Sequence, residues 1–298
     1  MNSQSFFYGN GGGSCKTLND VRQLTFTPVT HIEVGSITVK QRPGNSGDTF
    51  YCDDRGTTVN ALGMPNPGIE GYREVLPHMA VLAHQTGKVL IANIAPVEAG
   101  DTAKLCQLCV ESGVRFIMLN AGCPNVWSEG QQKLILSYDP DGLAREVQTA
   151  MDMLAGNSRI TLAIKLSPYL GNRTLRRSVA QVLDRHPVWI ASPNTIPNQY
   201  RVKADGQPAI NFQSGGDIVH VGGLGGTNIQ AMALQELTAF RQLLPNHPFI
   251  SLGGISTGHD IHERLLGGAH GIQVASAYYS TSDNRIFGRM LEEYASHI

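Results

Sequence analysis

Apolar residues in this chain gather in eight short, nearly continuous runs: Phe6–Tyr8, Val29–Val34, Val89–Ile94, Val114–Leu119, Ile160–Leu166, Val188–Ala191, Phe249–Leu252 and Gly271–Ala275. The runs are rich in β-branched and aromatic residues and do not alternate with polar ones, which is the pattern of parallel strands covered on both faces. Between most of them, apolar residues recur at helical spacing, as over Ala103–Ser112, Leu143–Leu154, Leu175–Asp184, Ile229–Leu244 and His259–Gly267. This alternation predicts βα units, and eight of them in 298 residues fit one (β/α)8 TIM barrel of the α/β class. A doubly wound open sheet is the alternative.

The residues that follow each run favour closure. Asn10 and Gly11 follow the first run, and Gly35-Ser36 the second. Asn93 sits in the third, Asn120 ends the fourth and Lys165 lies in the fifth. Asn194-Thr195, Gly253-Gly254 and Ser276 follow the last three. In a barrel these ends share one mouth, where active sites of this fold lie; in an open sheet the outer ones would stand far apart. Two stretches, Thr38–Gly68 and Gln199–Gly226, are rich in turn residues and interrupt the repeat. They are expected to hold short strands or turns, as loops that cover a site or pack on a partner. With no internal repeat and no linker, residues 1–298 are expected to form a single domain.

Composition narrows the class. The formal net charge of −1 offers no field for nucleic acid or an anionic membrane. No apolar stretch approaches the roughly 20 residues that span a bilayer. The start, MNSQSFFYGNGGG, lacks the basic and apolar regions of a signal peptide. Cysteines at 15, 52, 106, 109 and 123 are odd in number and irregular in spacing, which points to a reducing compartment and a cytoplasmic protein. Cys106 and Cys109 have metal-like spacing, but no second such pair exists and they fall in a predicted helix, so core packing is expected and no metal site is assigned.

Candidate chemistry starts at Asn120-Ala121-Gly122-Cys123-Pro124-Asn125, where a buried strand stops in two amides bracketing a thiol. A thiolate is a nucleophile or a proton acceptor. Amides donate and accept together, so they suit a planar ligand of alternating carbonyls and N–H groups. Asn60-Ala61-Leu62-Gly63-Met64-Pro65-Asn66 repeats the theme, and Asn194-Thr195 adds a further amide and a hydroxyl. Lys165, in an apolar strand, must find a partner or lie at an opening. Gly253-Gly254, Ala275-Ser276 and the glycines around Gly225 fall where this fold binds phosphate.

Together these motifs resemble the dihydroorotate dehydrogenase family over about Gly9 to Tyr294. NAGCPN is similar to the family's N-x-S-C-P-N loop and NALGMPN to its N-x-x-G-[LM]-x-N segment. IKLSP, SPNT, GGLGG, SLGGIST and QVASA follow in the family's order. The resemblance implies FMN across the mouth, bound by Asn10, Gly11, Lys16, Ser36, Asn93, Asn120, Lys165, Gly225, Gly253, Gly254, Ala275 and Ser276. It implies dihydroorotate oxidation, with Asn60, Leu62, Gly63, Met64, Asn120, Asn125, Asn194, Thr195 and Lys16 against the substrate. Cys123 matches the base that removes the C5 proton while hydride leaves C6, and a cysteine there marks the soluble class 1 members. Homodimers are common among such relatives. The electron acceptor stays open between fumarate, a quinone and a partner subunit.

Two positions depart from the pattern. Soluble members end the second strand in Thr-Lys-Ser; here it reads Val34-Gly35-Ser36, with Lys16 as the candidate replacement. Gly122 stands where the family has serine. These departures keep two further readings open: a dehydrogenase or reductase of another dihydropyrimidine, and a barrel that binds flavin or a pyrimidine without turnover.

Overall fold

All eight apolar runs form strands, and the strands close on themselves. In a computed structural model that describes residues 6–297, they are β1 (Phe7–Asn10), β2 (His31–Ile37), β3 (Val89–Ile94), β4 (Phe116–Asn120), β5 (Thr161–Lys165), β6 (Trp189–Ser192), β7 (Phe249–Ser251) and β8 (Gly271–Val274). Each strand pairs in parallel with the next, and β8 pairs with β1, so the open-sheet alternative is excluded. The register sets Lys165 opposite Asn120 and Gly35 opposite Asn93, which levels the polar strand ends at one mouth.

Helices wrap the barrel: α1 (Leu18–Thr25), α2 (Gly68–Gln85), α3 (Asp101–Glu111), α4 (Pro140–Leu154), α5 (Arg173–Leu183), α6 (Gln230–Leu243) and α7 (Gly258–Leu266). Two more, α8 (Ser276–Thr281) and α9 (Ile286–Ala295), follow β8. Their starts are written in side chains. Thr17 and Asp20 form a capping box on α1, Thr257 and Asp260 form one on α7, and Asp139 caps α4 with Pro140 in its first turn. Such caps satisfy backbone N–H groups that the helix leaves unpaired. Cys106 and Cys109 are buried on α3.

Side chains fill the barrel in layers. At the bottom, Phe7 stacks on His31, and Phe116 meets Trp189 edge to face. Ile91, Met118, Ala163, Ala191 and Ile250 lie in the same interior cluster. The mouth layer is polar: Glu33 is joined there to Asn93, Lys165 and Gln273. The apolar layers make a packed plug, so a ligand can enter only from the mouth.

The two irregular stretches build one structure over that mouth. Val221–Gly226 pairs antiparallel with Thr57–Asn60 on one side and Ile196–Tyr200 on the other, and Phe50–Cys52 completes the sheet. Val59, Phe212, Leu224 and Ile229 form its own small core. This sheet carries Asn60 and Gly225 to the mouth.

Candidate active site

The backbone after β4 is fixed before any side chain acts. Ala121 N donates to Lys165 O at 2.9 Å, and Ser167 Oγ donates to Gly122 O at 2.8 Å. A Cβ on Gly122 would lie 2.6 Å from the backbone of Leu166 and of Ser167. No side chain fits there, which gives a steric reason for the missing loop serine. Gly35 is similar: its φ is +133°, and a Cβ would stand 2.5 Å from Asn93 O. A lysine at 35 is therefore incompatible with this β2–β3 packing.

Cys123, half-buried, lines the mouth cavity. Burial pushes its pKa up; the Asn125 N–H and then the charges of Lys165 and Arg42 pull the other way without reversing it. The amides form two linked pairs. Asn125 Nδ2 donates to Asn60 Oδ1 at 2.6 Å, and Asn194 Nδ2 donates to Asn120 Oδ1 at 3.2 Å. Asn120 Nδ2 in turn donates to Ser36 Oγ at 3.1 Å. Each pairing uses part of an amide's capacity and orients the rest.

Lys165 is buried below, with Nζ 3.4 Å from Glu33 Oε1. Glu33 is fully buried and also accepts from Asn93 Nδ2 at 2.7 Å and Gln273 Nε2 at 2.6 Å. Lys16 reaches the cavity from the loop after β1; burial lowers its pKa, and nearby Asp20 opposes that. At the other end, Gly225, Gly226, Thr227, Gly253, Gly254 and Ser276 line the wall, and Thr58 Oγ1 lies 2.8 Å from Ser276 Oγ.

Most residues expected at the site share this one cavity: Lys16, Ser36, Asn60, Leu62, Gly63, Met64, Asn120, Cys123, Asn125, Lys165, Asn194, Thr195, Gly225, Gly253, Gly254, Ala275 and Ser276. Asn10, Gly11 and Asn93 do not line it. They sit one layer back: Asn10 Nδ2 donates to Glu33 O, Gly11 packs on Ala275, and Asn93 holds Glu33. Sequence reasoning missed Glu33 and Gln273, although each is a polar residue in an apolar strand, the signal that singled out Lys165.

Four buried polar atoms lack any partner among the described residues: Asn93 Oδ1, Ser192 Oγ, Thr195 Oγ1 and Gln273 Oε1. Leaving a buried polar atom unsatisfied costs about 1–3 kcal/mol, and the Gln273 carbonyl oxygen and the Thr195 hydroxyl are the two of the four whose residues face the cavity. A cation and a free acceptor on the floor, amides above them and a glycine-rich wall at one end fit a flat, polar-edged ring with an anionic tail.

The profile of the dihydroorotate dehydrogenase family matches residues 6–297. Among curated proteins, dihydroorotate dehydrogenase A (fumarate) of Lactococcus lactis subsp. cremoris strain MG1363 is 28% identical over 293 residues, covering 96% of this chain and 88% of that protein. Its namesake in Lactococcus lactis subsp. lactis strain IL1403 is 29% identical over 297 residues, with the same coverage. Among solved structures, ligand-free DHODH of Eimeria tenella superposes with a TM-score of 0.78 at 19% identity, covering 97% of this chain and 83% of that one. Its complex with ferulenol gives 0.76 at 17%, covering 98% and 81%. At these identities the superpositions speak for the fold. No helix among the described residues is long and apolar enough to cross a membrane.

Proposed function

The chain belongs to the dihydroorotate dehydrogenase family, and from that premise we propose that it oxidises dihydroorotate to orotate with FMN as its cofactor. One observation carries the reading: a single cavity joins the Cys123 thiol, two linked amide pairs and the buried cation Lys165. FMN, when bound, supplies a hydride acceptor at its ring. Gly225, Gly253, Gly254 and Ser276 would hold its phosphate, and Lys165 with the free Gln273 Oε1 would meet the polar ring edge.

Cys123 then removes the C5 proton of the substrate as hydride leaves C6. The thiolate is the working form, so the charges of Lys165 and Arg42 serve the step by favouring it. Asn60, Asn120, Asn125, Asn194 and Thr195 bind the pyrimidine ring and carboxylate, and Leu62, Gly63 and Met64 close over its face. Lys16 supplies the cation that Gly35 cannot. Fumarate, the acceptor in the names of the Lactococcus relatives, is the acceptor assigned here.

Anaerobic titration of the flavin-loaded protein with dihydroorotate tests the reading. Stoichiometric bleaching of the visible band is expected, and an unchanged spectrum would refute it. The missing lysine at 35 also favours a second reading, a dihydropyrimidine without the carboxylate. Faster bleaching by dihydrouracil than by dihydroorotate would select it.

A further inference from the structure

Arg264 is the largest fully buried side chain of the described residues, with 1% of its surface exposed. Its guanidinium lies behind the glycine-rich wall of the cavity, on α7, and does not line the cavity. Nη2 donates to Gly253 O at 3.0 Å and to Gln230 O at 2.9 Å, and Nη1 donates to Ser251 Oγ at 3.3 Å. No Asp or Glu oxygen among the described residues stands within 4.0 Å of it. The nearby carboxylate of Asp260 is engaged elsewhere, accepting from Ser256 N and Thr257 N and from the Gln230 side chain. Burial lowers the Arg264 pKa to about 10 against the opposing charges of Asp260 and Glu263. A guanidinium buried without an ion pair is costly unless an anion compensates it.

The geometry indicates where that anion sits. The Gly253–Gly254 peptide is trans, so its C=O and N–H point in opposite directions. With Gly253 O held on Arg264, the Gly254 N–H points away from the guanidinium, and it has no acceptor among the described residues. The cations that line the cavity, Lys16 and Lys165, belong to the strand-end floor and the β1 loop. The glycine wall itself carries none.

We propose that Arg264 is a positioning residue for the anionic tail of the ligand. It clamps the carbonyls of Gly253 and Gln230, so that the loop after β7 presents its N–H groups to a phosphate ester, and it places an unpaired positive charge directly behind them. The proposal rests on the flavin reading of the cavity and assigns Arg264 no contact with the ligand.

The test compares FMN with riboflavin, which has the same ring and no phosphate, by fluorescence quenching on apo-protein. Wild-type protein is expected to bind FMN more tightly than riboflavin, and equal affinities would overturn the proposal. In Arg264→Gln, FMN affinity is expected to fall about tenfold or more, while riboflavin affinity stays within about threefold. Equal losses for both ligands would make Arg264 merely structural and overturn the proposal. If Arg264→Gln does not fold, Arg264→Lys, which keeps the charge but loses the two-carbonyl clamp, is expected to lose FMN affinity selectively to a smaller degree; a wild-type FMN-to-riboflavin ratio in that variant overturns the proposal equally. Failure of wild-type apo-protein to bind either ligand would instead sink the flavin reading.

Discussion

Lys165 Nζ stands 3.4 Å from Glu33 Oε1 inside the barrel, with at most 7% of either side chain exposed. Each ion makes the other tolerable, because breaking a buried pair by removing one partner leaves an uncompensated charge. Glu33→Ala is therefore expected to lower unfolding stability by about 3–5 kcal/mol. Glu33→Gln, which keeps an acceptor for Asn93 and Gln273, should cost less. Urea unfolding of both variants checks this, and an Ala variant as stable as wild type would show that the pair does not hold the mouth layer together.

Removing the thiol tests the base role proposed for Cys123 directly. Cys123→Ser puts a far poorer proton acceptor at the same point, so flavin reduction by dihydroorotate should slow by about 10²-fold or more near neutral pH. In the wild-type protein, burial holds the thiol pKa above its ordinary value. The reducing half-reaction should accordingly speed up as pH rises through that raised pKa and the thiolate appears. Stopped-flow bleaching across pH reads both effects. A Ser variant with the wild-type rate and profile would remove Cys123 from the chemistry.

Much of the barrel was legible because a buried parallel strand needs only a short apolar run, and each of the eight runs supplied one. The helix α2 was not among the segments singled out, and it carries in its interior Pro77, a residue that argues against a helix. The mouth was legible where residue type was unusual for its place, as with Cys123 and Lys165. It was illegible where meaning came from closure. Glu33 and Gln273 are 240 residues apart and become partners only when β8 returns beside β1. The pairing of Thr57–Asn60 with Val221–Gly226 is of the same kind.

Gly122 gives a prediction that the family pattern alone would reverse. Gly122→Ser restores the residue common in the family, yet its Cβ would lie 2.6 Å from the backbone of Leu166 and Ser167. Both neighbours are backbone atoms that cannot swing aside. The variant should lose about 1–3 kcal/mol of stability, as overpacked sites do, and the displaced Cys123 loop should slow flavin reduction. Calorimetry and stopped-flow measurements check the two consequences. Wild-type values in both would mean that the β4–β5 contact is looser than its geometry.

At the barrel's closed end, His31 stacks on Phe7 at 4.0 Å between ring centroids. Burial lowers its pKa to about 4. The folded state thus binds this proton less readily than the unfolded chain, whose histidine titrates near 6.5. The stabilisation is complete above about pH 6.5 and is lost as pH falls towards 4. Comparing urea midpoints at pH 7.5 and 4.5, wild type should lose on the order of 2 kcal/mol more than His31→Gln. Equal losses would mean that His31 is protonated in place.

Under the proposed function, Lys16 and Gly35 together bear on whether the substrate carries a carboxylate, and both line the cavity. Gly35 has no room for the lysine that the family's soluble members put there, and Lys16 is the cation that enters the cavity from the neighbouring loop. Burial lowers its pKa, so a carboxylate beside it would restore what desolvation takes from the charged form. Lys16→Met should then weaken dihydroorotate binding about tenfold or more, the range for hydrogen bonds to charged groups, while leaving dihydrouracil binding little changed. The dependence of bleaching rate on the concentration of each compound gives both constants. Equal weakening would move Lys16 to the ring edge of the cofactor and leave the carboxylate without a cation, which would turn the balance towards the uncharged dihydropyrimidine.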